Sequence, residues 1–422
     1  MKKVIALVIV IVLVTSFALA GCTGASTQSS APAESSAAVA EATTEATQQA
    51  AQDASSDGGT IKIGALLDYT GVVADLGAKF KAGIELALEE ADYKVAGKTI
   101  ELVDYDSASD PTKAVEGFKN ITEKDGVKLV IGPLMGDAHL AIAPLAKEKD
   151  VIITSLVNGM YDTIELADNH YIQYPTTCEA QTEPFGKWIA EQGYKTMAIV
   201  ACNMAGKIAF ANGIKSGFES GGGEVVSEVF PEPGTDDYSS YIATLPQADC
   251  VLYALNGPAE VSKFVYQFQQ SGRKDKLFTI TQDADYTPEA LAELGDVALG
   301  IEGEASYTWQ LDNAANKTFV EGIMAKTGTL PSSSEQNAYT LTKVLLAALE
   351  KTNGDDSYEV MWPAITSLNM ETPAGQLTFE PSGVAITDLY VTQAEKAEDG
   401  TIQLSAPIAT ISQIRDSRLT AE

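Results

Sequence analysis

The sequence predicts an α/β fold, with two doubly wound parallel-sheet lobes joined by a multi-strand hinge. Three observations lead there. From Thr60 onward, short extended runs alternate with segments of helical periodicity. The extended runs are apolar at odd and even positions alike, as strands covered by helices on both faces must be. The alternation breaks and restarts after Tyr174-Pro175-Thr176-Thr177, which argues for two sheets rather than one long one.

The opening segment stands apart from this body. Lys2 and Lys3 precede Val4 to Ala20, a stretch without charge, in the layout of an export signal. A spanning helix needs about 20 apolar residues, and this one already contains Thr15 and Ser16. Leu19-Ala20-Gly21-Cys22 resembles a bacterial lipobox, which implies a mature chain that begins at a lipidated Cys22 and is anchored in the membrane. Thr23 to Gly59 is built of Ser, Thr, Ala, Gln and Glu, with too little apolar surface to offset the entropy of ordering it, and reads as a tether. The expected organisation is therefore an export signal over 1–21, a lipidated tether over 22–59, one lobe from 60–176 and 306–382, and another from 177–305 and 383–415.

In the first lobe, strands are expected at 61–67, 99–106, 127–132 and 151–155. Helices are expected between them at 77–91, where Phe80, Ile84 and Leu88 mark one face, at 111–124, opened by Pro111, and at 137–149. The second lobe repeats the rhythm, with helices at 181–192, 206–219, 237–245 and 259–271, and strands at 197–202, 224–230, 249–255 and 277–281. Helices near 312–327 and 335–351 return to the first lobe, and extended runs at 385–393 and 406–414 return to the second. Such crossing back predicts several linking segments and a hinge.

Composition narrows the function. The 422 residues carry 58 acids and 28 bases, a formal charge of −30 that becomes −32 if Lys2 and Lys3 leave with residues 1–21. That balance argues against nucleic acid as a partner, because phosphates repel such a chain and release no counterions on meeting it. His139 and His170 lie 31 residues apart with no cysteine or acidic cluster at metal-ligand spacing around either, so no metal or other cofactor is expected. Cys178, Cys202 and Cys250 form no CxxC, and there is no nucleophile elbow, P-loop or dinucleotide fingerprint, so an enzyme is not expected.

Four stretches carry a resemblance: IKIGALLDYTGVVADLG (61–77), ELVDYDSASDPTKAV (101–115), LVIGP (129–133) and PGTDDYSSYIATLPQADCVLYAL (233–255). In this order and spacing they resemble the branched-chain amino acid (Leu/Ile/Val)-binding family of ABC transporter substrate-binding lipoproteins, of the type I periplasmic-binding fold. The resemblance implies a clamshell held on the extracytoplasmic face of the membrane, which captures a small molecule such as an amino acid and delivers it to an ABC permease. A lipoprotein of the same fold that senses a ligand and signals to a membrane receptor stays open as an alternative.

The resemblance also implies site residues. The ligand's carboxylate is met at the turns Gly132–Ala138 and Thr154–Met160, which bring Gly136, Asp137, Leu156 and Asn158 into question. Gly136 stands where the family has a serine and offers only its backbone N–H. Asn158 stands where it has a threonine and offers its amide. Asp137 is expected to cap a helix. The ammonium partner falls on Asp283, with Asp285 as fallback, and Asn203 and Met204 replace an absent tyrosine. Leu76 takes the place of an aromatic that faces the ligand's side chain, and Tyr69, Tyr161, Tyr307 and Trp309 are candidate walls.

Overall fold

The structure, a computed structural model, describes residues 58–419 except residue 72. The export signal, the tether and Cys22 lie outside the described residues.

The first lobe is laid down as β1 (Thr60–Leu67), α1 (Ala74–Glu90), β2 (Lys94–Val95), β3 (Lys98–Asp106), α2 (Pro111–Lys119), β4 (Leu129–Ile131), α3 (Gly136–Glu148), β5 (Ile152–Ser155), α4 (Tyr161–Ala167) and β6 (Tyr171–Gln173). Its strands lie in the order β2-β3-β1-β4-β5-β6. All pairings are parallel except the β2–β3 hairpin. β4 and β5 are buried along their whole length, as a doubly covered sheet requires.

The second lobe follows as α5 (Cys178–Glu191), β7 (Thr196–Ala201), α6 (Ala205–Ser220), β8 (Glu224–Val229), α7 (Ser239–Thr244), β9 (Cys250–Ala254), α8 (Gly257–Gln270), β10 (Lys276–Thr279), α9 (Gln282–Asp285), α10 (Pro288–Leu294) and β11 (Glu302–Ala305). The chain then adds α11 (Ala314–Thr327), α12 (Ser333–Lys351), α13 (Tyr358–Thr366), β12 (Asn369–Thr372), β13 (Gly375–Phe379), β14 (Ala385–Lys396), β15 (Ile402–Leu404) and β16 (Ala409–Ile414). The second sheet runs β12-β13-β14-β11-β10-β9-β7-β8, and β15 and β16 also pair with β14.

This sheet departs from a purely parallel one. β7 to β11 pair in parallel, but β14 runs against β11 and against β16. After β11 the chain leaves to build α11, α12 and α13, and it re-enters from the other lobe instead of through a helical crossover. The crossings fall at 174–177, 306–313 and 380–384. β14 spans the junction, since Ala385 packs in the first lobe's core while Leu389 and Val391 pack in the second's.

Most helix boundaries differ by one to three residues from those expected, and two of the differences have a visible cause. Helix α12 starts two residues before the expected 335, because Ser332 and Glu335 form a reciprocal capping box. It packs on α1 at the one place where α1 carries Gly83; a Cβ there would lie 2.2 Å from the Glu335 carbonyl oxygen. The α-helix expected over 111–124 ends at Lys119 and continues as a wider turn through Lys124, where the Thr122 hydroxyl donates back to the Phe118 carbonyl at 2.7 Å.

Candidate functional site

Between the lobes lies a cavity of about 730 Å³. One wall comes from Lys79 on α1 and from residues 329–335 leading into α12; the other comes from Asp283 to Asp296 and from 400–404, with Tyr307, Thr308 and Trp309 of a crossing segment closing it. Asp283 is the one residue among the nine expected to touch a ligand that lines this cavity.

Asp283 is presented by a strained turn. β10 ends and α9 begins at Thr281, whose φ of 46° places a β-branched residue in the left-handed region, at a cost of about 1–3 kcal/mol. Two contacts hold the turn there. The Thr281 N–H donates to Glu304 Oε1 at 2.7 Å, and its hydroxyl donates to Asp285 Oδ2 at 3.0 Å. Glu304 on β11 is fully buried and also accepts from Gln181 Nε2 at 2.8 Å. The resulting geometry leaves Asp283 Oδ2 sealed from solvent and without a hydrogen-bond partner among the described residues. A buried polar atom of that kind calls for a reason.

These acids have shifted titrations. Burial pushes the Asp283 carboxyl up to about 7, with the Ser333 hydroxyl opposing the rise and the Asp285 charge adding to it. Glu304 is pushed up to about 8, again chiefly by burial, and the Thr281 N–H opposes. Asp285 is raised by burial against the pull of Lys207. A cation arriving beside this group meets carboxyls whose ionisation it favours.

Across the cleft, Asn158 is already engaged. Asn158 Nδ2 donates to the Thr176 carbonyl at 2.9 Å and to Gln181 Oε1 at 2.5 Å, which uses both of its hydrogens. Gln181 passes the link to Glu304, so one chain of hydrogen bonds runs from a first-lobe turn to the second-lobe strand that supports Asp283. Leu156 is fully buried in the first lobe's core, and its carbonyl accepts from Asn337 Nδ2 at 2.9 Å. Gly136 and Asp137 are exposed in the first turn of α3; Asp137 is not the cap, a position held by Met135.

The remaining expectations scatter. Leu76 and Met204 are both 37% exposed at the starts of α1 and α6, and the Asn203 amide donates to Glu232 at 2.8 Å. Tyr69 bonds to Asp104, and Tyr161 lies under the Arg418 guanidinium. Tyr307, by contrast, lines the cavity while its hydroxyl donates to Asn316 at 2.8 Å. Gln181, Thr281, Glu304 and Glu335 were not singled out from the sequence. Only Glu335 carried a signal there, as the fourth residue of the Ser-x-x-Glu capping pattern.

Little in this arrangement suits nucleophilic chemistry. Cys178, Cys202 and Cys250 are buried and unpaired, and burial pushes Cys202 to about 11 and Cys250 to about 12. His170 is stacked on Tyr358, and among the described residues no three His, Cys, Asp or Glu side chains are placed to hold a metal ion.

Comparison with known proteins adds a family. A family model described as periplasmic binding protein matches residues 60–401. A Leu/Ile/Val-binding protein homolog 6 from Brucella melitensis is 25% identical over 349 residues, covering 81% of this chain and 89% of the relative. Among solved structures, an ABC transporter substrate-binding protein from Sphaerobacter thermophilus is 26% identical with a TM-score of 0.80, covering 85% of this chain and 99% of that one. A solute-binding protein of an ABC transporter from R. palustris, in complex with 4-hydroxybenzoate, has a TM-score of 0.78 at 24% identity and covers 86% and 100%.

Proposed function

The chain belongs to the periplasmic binding protein family, and from that premise we propose that it is an extracytoplasmic solute-binding lipoprotein of an ABC importer. It captures an amino acid, or a similar small molecule that carries an ammonium group, in the cleft between its lobes. The lobes are taken as 60–176 with 306–382 and 177–305 with 383–415, and they close about the three crossing segments. No reaction is assigned to it.

One observation carries the choice of ligand. Asp283 lines the interlobe cavity, and its buried Oδ2 has no hydrogen-bond partner among the described residues. A carboxylate held in poorly solvated surroundings binds an ammonium more strongly than it would in water. A plain aromatic acid brings no cation to Asp283. For that reason the amino-acid reading is preferred to the hydroxybenzoate seen in the R. palustris protein.

The test is a thermal-shift screen of the twenty amino acids together with benzoate and 4-hydroxybenzoate, followed by calorimetry on wild type and Asp283→Asn. An amino acid should raise the melting temperature of the wild type and lose that effect in the variant. A response confined to the two acids would reject the reading. Anchoring is tested separately, because Cys22→Ser should move the protein from the membrane to the soluble fraction.

A further inference from the structure

Besides the three crossings of the backbone, a further segment bridges the lobes. β16 ends at Ile414, which packs in the second lobe's core. The chain then turns, with the Leu419 N–H donating to the Asp416 carbonyl at 3.0 Å, and Leu419 packs on a core cluster of the first lobe that includes Ile164 of α4 and Tyr171 of β6. Residues 415–419 therefore start on one lobe and end on the other.

On the way they take hold of two crossings and of a helix on each side. The Arg415 guanidinium donates to Glu380 Oε1 at 2.9 Å, at the start of the crossing over 380–384. Asp416 is buried; its Oδ2 accepts from the Thr177 hydroxyl at 2.6 Å, at the end of the crossing over 174–177. The same carboxylate accepts from Arg418 through Nε at 2.9 Å and Nη2 at 2.6 Å, a two-pronged pairing that fixes the plane of the guanidinium. Held so, the guanidinium lies 4.6 Å over the ring of Tyr161 on α4 of the first lobe, and it reaches Glu179 on α5 of the second at 3.4 Å.

A hinge turns about its crossing segments, and a turn changes the distances between atoms on different lobes. Hydrogen bonds and ring contacts are lost over small displacements, so the grips on Tyr161 and Glu179 and the seat of Leu419 do not all survive a rotation. We infer that residues 415–419 are a strap that fastens the hinge: seated as in this structure it holds the lobes at one angle, and a swing of the lobes requires Arg418 and Leu419 to leave the first lobe. The strap is a two-state element, and its seating biases the lobe equilibrium and with it the affinity of any ligand that favours another angle. The inference rests on the hinge of the functional reading above and is independent of the ligand named there.

Pulsed electron paramagnetic resonance on the full-length protein tests it. Cys178, Cys202 and Cys250 are buried, and Cys22→Ser removes the remaining thiol. Spin labels then go to Asp75→Cys and Ala205→Cys, exposed positions in the first turns of α1 and α6, on opposite lobes and outside the cavity wall. Without ligand this parent protein should show one narrow distance. Tyr161→Ala/Leu419→Ser releases the first-lobe grip while Asp416, Arg418 and Thr177 stay paired, and it should broaden the distribution at least about twofold or move its mean. Both replaced side chains are half-buried, so the variant is expected to fold; Leu419→Ser alone should give the same change at smaller amplitude. Tyr161→Phe keeps the ring under Arg418 and should match the parent. A mixture of the twenty amino acids separates the strap from the hinge. If the mixture moves the parent's distance while the strap variant matches the parent throughout, the strap is overturned and the hinge stands. A broad distribution in the parent before any addition has the same meaning. A single distance, unmoved in both proteins with and without the mixture, overturns the hinge as well.

Discussion

The two sides of the cleft employ their polar side chains differently. On the first lobe, the turn at 155–158 is satisfied from within: the Ser155 hydroxyl and Gln173 Nε2 donate to the Val157 carbonyl, Asn337 to that of Leu156, and Asn158 spends both hydrogens on Thr176 and Gln181. On the second lobe, a strained turn held by Glu304 leaves Asp283 with an unmet oxygen. The difference teaches where recognition is concentrated. A side chain whose hydrogens are spent within the protein braces a wall, whereas a partly buried carboxyl with an oxygen lacking a partner is a demand that a ligand can meet.

Substitutions can break this contrast, and the largest effect is expected at the demand itself. Asp283→Asn should weaken binding of the amino acid that the thermal-shift screen selects by at least about 30-fold, because it removes one member of a desolvated charge pair. Removing the support comes next. Glu304→Ala orphans the Thr281 N–H and the Gln181 amide, and chemical denaturation should show a loss of roughly 1–3 kcal/mol together with weaker ligand binding.

Asn158→Ala sharpens the comparison from the other side. It cuts the hydrogen-bond chain between the lobes, so stability should fall by about 1 kcal/mol while ligand affinity changes less than about fivefold. An affinity loss as large as that of Asp283→Asn would restore the carboxylate role to Asn158. Gly136→Ala should do least: the added methyl meets only Met160 Cε, at 3.7 Å, and stability should stay within about 0.5 kcal/mol.

Much of the architecture was legible because it is periodic. The runs IKIGALL and VIITS are apolar on both faces, and the restart after Thr177 coincides with the start of α5, which leads into the second sheet. The strand direction of β14 was not legible, since direction depends on which lobe the chain returns from, and no local pattern encodes that. The site followed the same division. Asp283 was singled out by the resemblance, which implies an acid just past a second-lobe strand. Gln181 and Glu304 lie on separate elements, 123 residues apart, and become partners only when α5 is laid across β11. Thr281 gave no sign of its left-handed backbone, because a β-branched residue is among the least expected there. The reading of Asp137 as a cap failed because the helix starts one residue earlier than the apolar pattern suggests.

Titration links the two lobes' chemistry to solution behaviour. Asp283 and Glu304 have folded values raised to about 7 and 8 from ordinary values of 3.8 and 4.5. The folded chain then binds more protons than the unfolded one, so the stability they lend is complete at low pH and is lost as pH rises through 7 to 8. His139, lowered by burial to about 4, acts with the opposite sign below its ordinary 6.5. Above 6.5 the two acids act without that opposition, and the ligand-free melting temperature should fall between there and about pH 8.5. A cation that needs ionised Asp283 follows the reverse trend and binds better as pH rises.

The most direct measurement is therefore the calorimetric affinity for the amino acid that the thermal-shift screen selects, from pH 5.5 to 8.5, in wild type and in Asp283→Asn. The account predicts an affinity that rises up to about tenfold per pH unit below 7 and then levels, with both the rise and most of the affinity missing from the variant. A flat profile in the wild type, with full affinity kept by Asp283→Asn, would contradict it.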